Sequence, residues 1–265
     1  MTAEHALYIG AAALAGLLLG SFFNVCIYRV PRDLSIVTPR SFCPECGHGI
    51  AWYDNLPVLS YVLLRGRCRE CSRSIEWRYP LVEVTTGVLF ALVAIRYGWT
   101  VSALKWALFE SLLVVLFWTD IEERILPDEF TIGGTAIGLV LSALVPVRSL
   151  MGELVLRTVS RWASVLNAAI GAILLALPLW GVALLYQRIR KREALGLGDV
   201  KLLVLLGVFL GFENGLTAVL IGTVAGAVIG LAYILVRRKD ASTYELPFGS
   251  FLCLGAAVVP LISGL

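Results

Sequence analysis

Two aspartates sit where apolar runs end, and their setting suggests chemistry. Asp199 stands in Gly196-Leu197-Gly198-Asp199-Val200-Lys201, at the mouth of the apolar run from Val200 to Phe212. Asp120 closes another run, in Phe117-Trp118-Thr119-Asp120. A carboxylate at the end of an apolar helix is costly to keep near lipid, which marks it as a functional candidate. The glycines before Asp199 permit close approach or a left-handed backbone. Taken alone, that tetrapeptide reads more simply as a helix N-cap. A pair of carboxylates does more. Held close, the two cannot both ionise, so they share a proton; one then activates a water while the other donates to a scissile carbonyl. With His5 and His48 the only histidines, no serine–histidine or cysteine–histidine arrangement competes.

A second chemical signal lies in Cys43-Pro44-Glu45-Cys46 and Cys68-Arg69-Glu70-Cys71, two CxxC pairs with 21 residues between them. This is structural-zinc spacing, with Cys43, Cys46, Cys68 and Cys71 completing a tetrahedron. His48 is then a loop histidine. The segment 29–79 that carries the pairs is too short to build a sufficient core, so a metal staple is physically expected. Cys26 and Cys253 fall inside apolar runs and read as small packing residues.

The elements that must position these groups are membrane spans. Of 265 residues, 58% are hydrophobic and 15% charged, and the mean hydropathy is +0.84. That excludes an ordinary soluble domain and predicts an all-α polytopic membrane protein. About eight transmembrane helices are expected: 6–28, 81–97, 101–120, 130–147, 163–187, 199–212, 216–236 and 247–265. The first lacks a basic leader and reads as a retained helix rather than a signal peptide. Gly222, Gly226 and Gly230, at spacing four, suit close helix packing. The domains expected are a first helix (1–28), a cytoplasmic zinc-binding domain (29–79) and a seven-helix transmembrane domain (80–265). No internal repeat is legible.

Basic residues set the orientation. With the N-terminus outside, the inner segments carry 17 of the 22 Lys and Arg, against five outside (Arg96, Lys105, Arg148, Arg157 and Arg161). Two passes then separate Asp120 from Asp199, so both reach the cytoplasmic membrane edge. The cysteines fall in a reducing compartment, which favours metal over disulfides.

At this point the chain resembles the bacterial type IV prepilin peptidases, the bifunctional leader peptidase/N-methyltransferases of the GxGD aspartic peptidase type. The resemblance runs over nearly the whole length. It includes Phe22 to Pro31, both CxxC pairs, Trp52 to Tyr61, Leu64 to Cys68 and Arg78-Tyr79-Pro80-Leu81-Val82-Glu83. It continues through Asp120 with Leu126-Pro127-Asp128, Gly196 to Leu203, and Pro247-Phe248-Gly249-Ser250-Phe251-Leu252. The family often carries proline at the position of Ser250, a departure that reads as minor. The resemblance implies that Asp120 and Asp199 are the catalytic pair. They would cut short basic leaders from type IV prepilins and type II secretion pseudopilins at the cytoplasmic face. It also implies methylation of the new N-terminal amine with S-adenosylmethionine, in the inner membrane, with a periplasmic N-terminus.

No glycine-rich fingerprint places the methyl donor. Glu83, Arg65 and Arg67 are the candidates for that chemistry or its cofactor. The arginines equally suit anionic lipid headgroups. No nucleic-acid partner is expected. A peptidase lacking methyl transfer is the nearest alternative. A proton-coupled transporter is a further one, disfavoured because both aspartates lie at one membrane face rather than at the midplane.

Overall fold

The computed structural model describes residues 3–146, 161–191, 196–237 and 246–263. Arg148, Arg157, the loop 238–245 and the last residues of the fourth and eighth expected spans lie outside them. The described chain is helical, with no named strand. Its helices are α1 (Ala3–Arg29), α2 (Leu59–Leu63), α3 (Arg78–Tyr97), α4 (Val101–Glu123), α5 (Asp128–Leu144), α6 (Arg161–Arg190), α7 (Leu197–Arg237) and α8 (Phe248–Ile262). Five are long and apolar enough to cross a membrane: α1, α3, α4, α6 and α7. Leu177, Val182, Leu185, Val224 and Val228 stand exposed, which suits a lipid-facing surface.

The chain forms two compact units, Met1–Val115 and Leu116–Leu265, which part within α4. In the first unit, α1 packs on α3 through small residues. A side chain at Gly16 or Gly20 would strike the backbone of α3 at Thr86, Gly87 or Glu83. Asn24 on α1 donates to the Tyr79 carbonyl at 3.1 Å. Cys26 and Ile27 are buried beside it.

In the second unit the first half of α7 is the centre. Leu202, Leu203, Leu205, Leu206, Phe209 and Leu210 are all fully buried. A helix apolar on every side belongs inside a bundle. Its neighbours approach through glycine: Gly138 of α5 against Phe209, and Gly171 of α6 against the backbone at Gly207 and Gly211.

The expected gap between spans at 213–215 is instead helical. The break comes at Gly211, with φ 74° and ψ −178°, a conformation open only to glycine. One such residue redirects the chain, so no separate loop is needed. Beyond it, Gly222 meets the α8 backbone at Phe251 and Leu252, Gly226 meets the Phe251 ring and Gly230 meets Leu246. The four-residue glycine spacing is thus a packing face, and Cys253 is buried within that helix pair.

Candidate active site and metal centre

Both aspartates belong to the second unit, and each is attached to the start of a helix. Asp199 is the third residue of α7. Its carboxylate takes the backbone N–H of Gly196, just ahead of the helix. That is one half of a capping box, with Gly196 rather than Asp199 at the N-cap position. Asp120 lies within the last turns of α4, three residues before its end, and is buried. Its Oδ2 accepts the backbone N–H of Ser250 at 2.6 Å and the Ser250 hydroxyl at 2.7 Å. Helix N-termini favour anions, and here two of them meet the two carboxylates. Asp120 is near enough for its charge to act on Asp199.

Leu126 fills the floor between the elements. A Cβ at Gly198 would stand 3.2 Å from Leu126, and one at Gly249 3.0 Å from it and 3.2 Å from the Asp120 carboxylate. The glycine of the GxGD stretch is therefore a matter of close approach. Lys201 does not point at the pair: its Nζ holds Asp128 Oδ1 at 2.6 Å, tying α5 to α7. Glu122, Asp128 and Glu129 are exposed, a solvated acidic turn. Sequence reading passed over Ser250. The signal was present: a serine in the first turn of a helix brings an N–H and a hydroxyl where proline brings neither.

The four cysteines of the two CxxC pairs also come together. All four Sγ atoms lie within 4.8 Å of one another, Cys43 and Cys71 at 3.9 Å, and none of the six cysteines is in a disulfide. Sulfurs around a tetrahedral zinc stand about 3.8 Å apart, whereas a disulfide would bring two to about 2 Å. The donor set fits a soft divalent metal. The N–H groups of Cys71 and Glu70 pull the Cys68 thiol down to about 7, whereas Cys46 in the same cluster, despite the N–H of His48, is pushed up to about 11 by desolvation and by the thiols around it.

The two CxxC turns repeat at an offset of 25 residues. Cys43 N–H bonds the His48 carbonyl and Gly47 N–H that of Cys43; Cys68 N–H bonds Arg73 and Ser72 N–H bonds Cys68 in the same way. The bridges Phe42–Gly49 and Arg67–Ser74 match. Even the side-chain contacts cross symmetrically, Glu45 to Arg73 at 3.6 Å and Glu70 to His48 at 3.7 Å. So a short local repeat exists where the sequence showed none, and His48 is an outward-facing partner rather than a ligand.

Glu83 is buried on α3, where its Oε2 accepts the N–H of Val58 at 2.7 Å and its carboxylate also bonds Ser21. Val58 has φ 60°, unusual for a β-branched residue, so Glu83 pins a strained turn. Arg65 and Arg67 flank the second CxxC turn, Arg67 in its bridge. A cavity of about 310 Å³ opens in this unit beside Ser21, Phe22, Arg29, Arg40 and Asn55. None of Glu83, Arg65 and Arg67 lines it. Glu110 has both oxygens buried with no hydrogen-bond partner among the described residues.

An apolar multi-helix chain with two juxtaposed aspartates has the layout of a membrane aspartic peptidase. The profile of the Bacterial Peptidase A24 N-terminal domain matches residues 14–97, and that of the Type IV leader peptidase family residues 107–231. The prepilin leader peptidase/N-methyltransferase of Pseudomonas putida is 34% identical, with 97% of this chain and 92% of that protein aligned. The protein of the same name from Aeromonas hydrophila is 33% identical over 96% and 91%. The one from Myxococcus xanthus is 40% identical over 87% of this chain but 64% of its own length. No solved structure matches. The chain belongs to the type IV leader peptidase family.

Proposed function

We propose that this protein removes the leader from type IV prepilins and type II secretion pseudopilins and methylates the amine it exposes. The single observation that carries the peptidase reading is the meeting of Asp120 and Asp199 at two helix starts in one unit. One carboxylate takes a proton from water while the other hydrogen-bonds the scissile carbonyl; the roles reverse as the amine leaves. The site sits at the cytoplasmic edge of the inner membrane, with eight helices crossing it and the N-terminus in the periplasm. The exposed acids of the 122–129 turn attract basic leaders, and the apolar exterior holds lipid.

Cys43, Cys46, Cys68 and Cys71 hold zinc, which staples the small domain at 29–79. S-adenosylmethionine supplies an electrophilic sulfonium methyl group. The cavity beside Arg29 has the size range of a small-molecule site, a guanidinium for a carboxylate and an apolar wall at Phe22 for a flat base. This chain's part is to hold the pilin amine and the donor in line, which can supply most of the acceleration. Glu83, by pinning the Val58 turn, sets the position of neighbouring Asn55 and Pro57 on that wall.

The test is mass spectrometry of a model prepilin after incubation with the purified protein, with and without methyl donor. Loss of the leader in both, and a gain of one methyl only with donor, is expected. An unchanged prepilin would overturn the reading.

A further inference from the structure

The start of α8 is built around a carboxylate that it does not itself carry. Its N-cap is Pro247, which has no side chain able to cap. The second helical residue is Gly249, where any Cβ would crowd Asp120. The third is Ser250, 1% exposed, and it gives Asp120 Oδ2 two donors at once. The first amides of a helix need an outside acceptor, so the helix and the aspartate each satisfy the other. Both donors fall on one oxygen, and Oδ1 takes no hydrogen bond from any described residue. The Ser250 hydroxyl has a second acceptor, the Phe117 carbonyl at 3.0 Å, one turn back on α4. It can therefore donate to Asp120 as a carboxylate. When Asp120 carries the shared proton, the hydroxyl can turn to Phe117 instead. No buried polar group is stranded in either state.

We infer that Ser250 is a positioning residue of the cleavage reaction: it fixes the Asp120 carboxylate through Oδ2, so that Oδ1 faces the water and Asp199. The inference rests on the reading of Asp120 and Asp199 as the catalytic pair, and Ser250 lies beyond both family-profile matches. Ser250 touches neither substrate nor water in this account; it acts only through Asp120.

The experiment compares S250A, S250C and D120N with the parent, each purified whole in detergent, on a prepilin with a basic leader. S250A removes the hydroxyl and keeps the amide. S250C keeps the shape with a weaker S–H donor. Losing a hydrogen bond to a charged group costs roughly tenfold in rate. So kcat should fall about tenfold in S250A and less in S250C, with KM unchanged in both and thermal midpoints close to the parent's. A KM rise without loss of kcat, or equal kcat in S250A and parent, would overturn the inference. So would an S250A loss that merely tracks a lowered midpoint, with S250C falling equally. D120N separates the two claims. A dead D120N beside a fully active S250A sinks only the role of Ser250, whereas an active D120N sinks the catalytic reading beneath it.

Discussion

Single residues decide three things here, and two are open to direct test. Ser72 occupies the place that Gly47 holds in the first CxxC turn, with φ 59° against 70°. The left-handed region costs an ordinary residue about 1 kcal/mol or more, partly offset by the greater freedom of an unfolded glycine. S72G should therefore raise stability by less than about 1 kcal/mol. A later thermal midpoint, or slower metal loss to a chelator, would show it. Glu122 is exposed close to Asp120 in sequence, and its charge reaches a basic leader only through solvent. E122Q should raise KM a few-fold at low ionic strength, with the difference closing as salt shortens the Debye length. A kcat effect that persists in high salt would move Glu122 into the chemistry. The third residue is Gly211, whose left-handed backbone turns one long apolar run into two helical pieces.

At the scale of elements, helix starts and the CxxC turns position the candidate groups. α7 and α8 bring Gly196 and Ser250 to the two carboxylates, and Leu126 fills the space between them. The Trp52–Asn55 turn is tied to the second CxxC turn by Arg69, which grips Asp54 with Nε at 2.7 Å and Nη2 at 2.5 Å. That hydrogen-bonded guanidinium holds the Asp54 carboxyl below its ordinary value of 3.8. The sign follows: the folded form binds the proton less readily than the unfolded one. The bond thus stabilises fully above about pH 4, and the gain is lost as pH falls through the folded value. In thermal unfolding, D54N should trail the parent at pH 7 and match it once Asp54 is protonated. A constant difference at every pH would assign the loss to shape instead. The cysteines give a sharper test. Purified protein should carry about one zinc per chain, and any of C43S, C46S, C68S or C71S should lower it. Metal-free protein with four freely alkylated native thiols would refute the site.

For the whole molecule, the sequence made the chemistry more legible than the packing. The gathering of the four cysteines was readable because residue type and spacing mark it directly, and Asp120 and Asp199 stood out as acids at the ends of apolar runs. The family was readable for the same reason. The break at Gly211 was not, because one residue's φ leaves no mark on a hydropathy profile. The repeat of the CxxC turns stayed hidden because it lives in backbone hydrogen bonds. Within 41–50 and 66–75 only the cysteines, Glu45 with Glu70 and Ile50 with Ile75 keep their identity, and just outside them Arg40 matches Arg65 and Trp52 matches Trp77. Ser250 reads as a minor departure in the sequence, yet the amide that proline lacks is half of what Asp120 receives. Glu83 was legible as a buried acid, but its partner, Val58, lies 25 residues earlier and only folding brings it near.

The two activities place different demands on one chain. In the proposed mechanism peptide hydrolysis needs both carboxylates, whereas methyl transfer needs an amine and a donor held in line. The most direct measurement follows one pilin by mass through both steps, using D120N and D199N enzymes shown by circular dichroism to be folded. Given full-length prepilin, each should release no leader, a loss of at least about a thousandfold against the parent. Given pilin already cleaved and bearing a free N-terminal phenylalanine, each should still add one methyl from S-adenosylmethionine. Release of the leader at a substantial rate by either variant would contradict the account, because the hydrolysis would then not depend on Asp120 and Asp199.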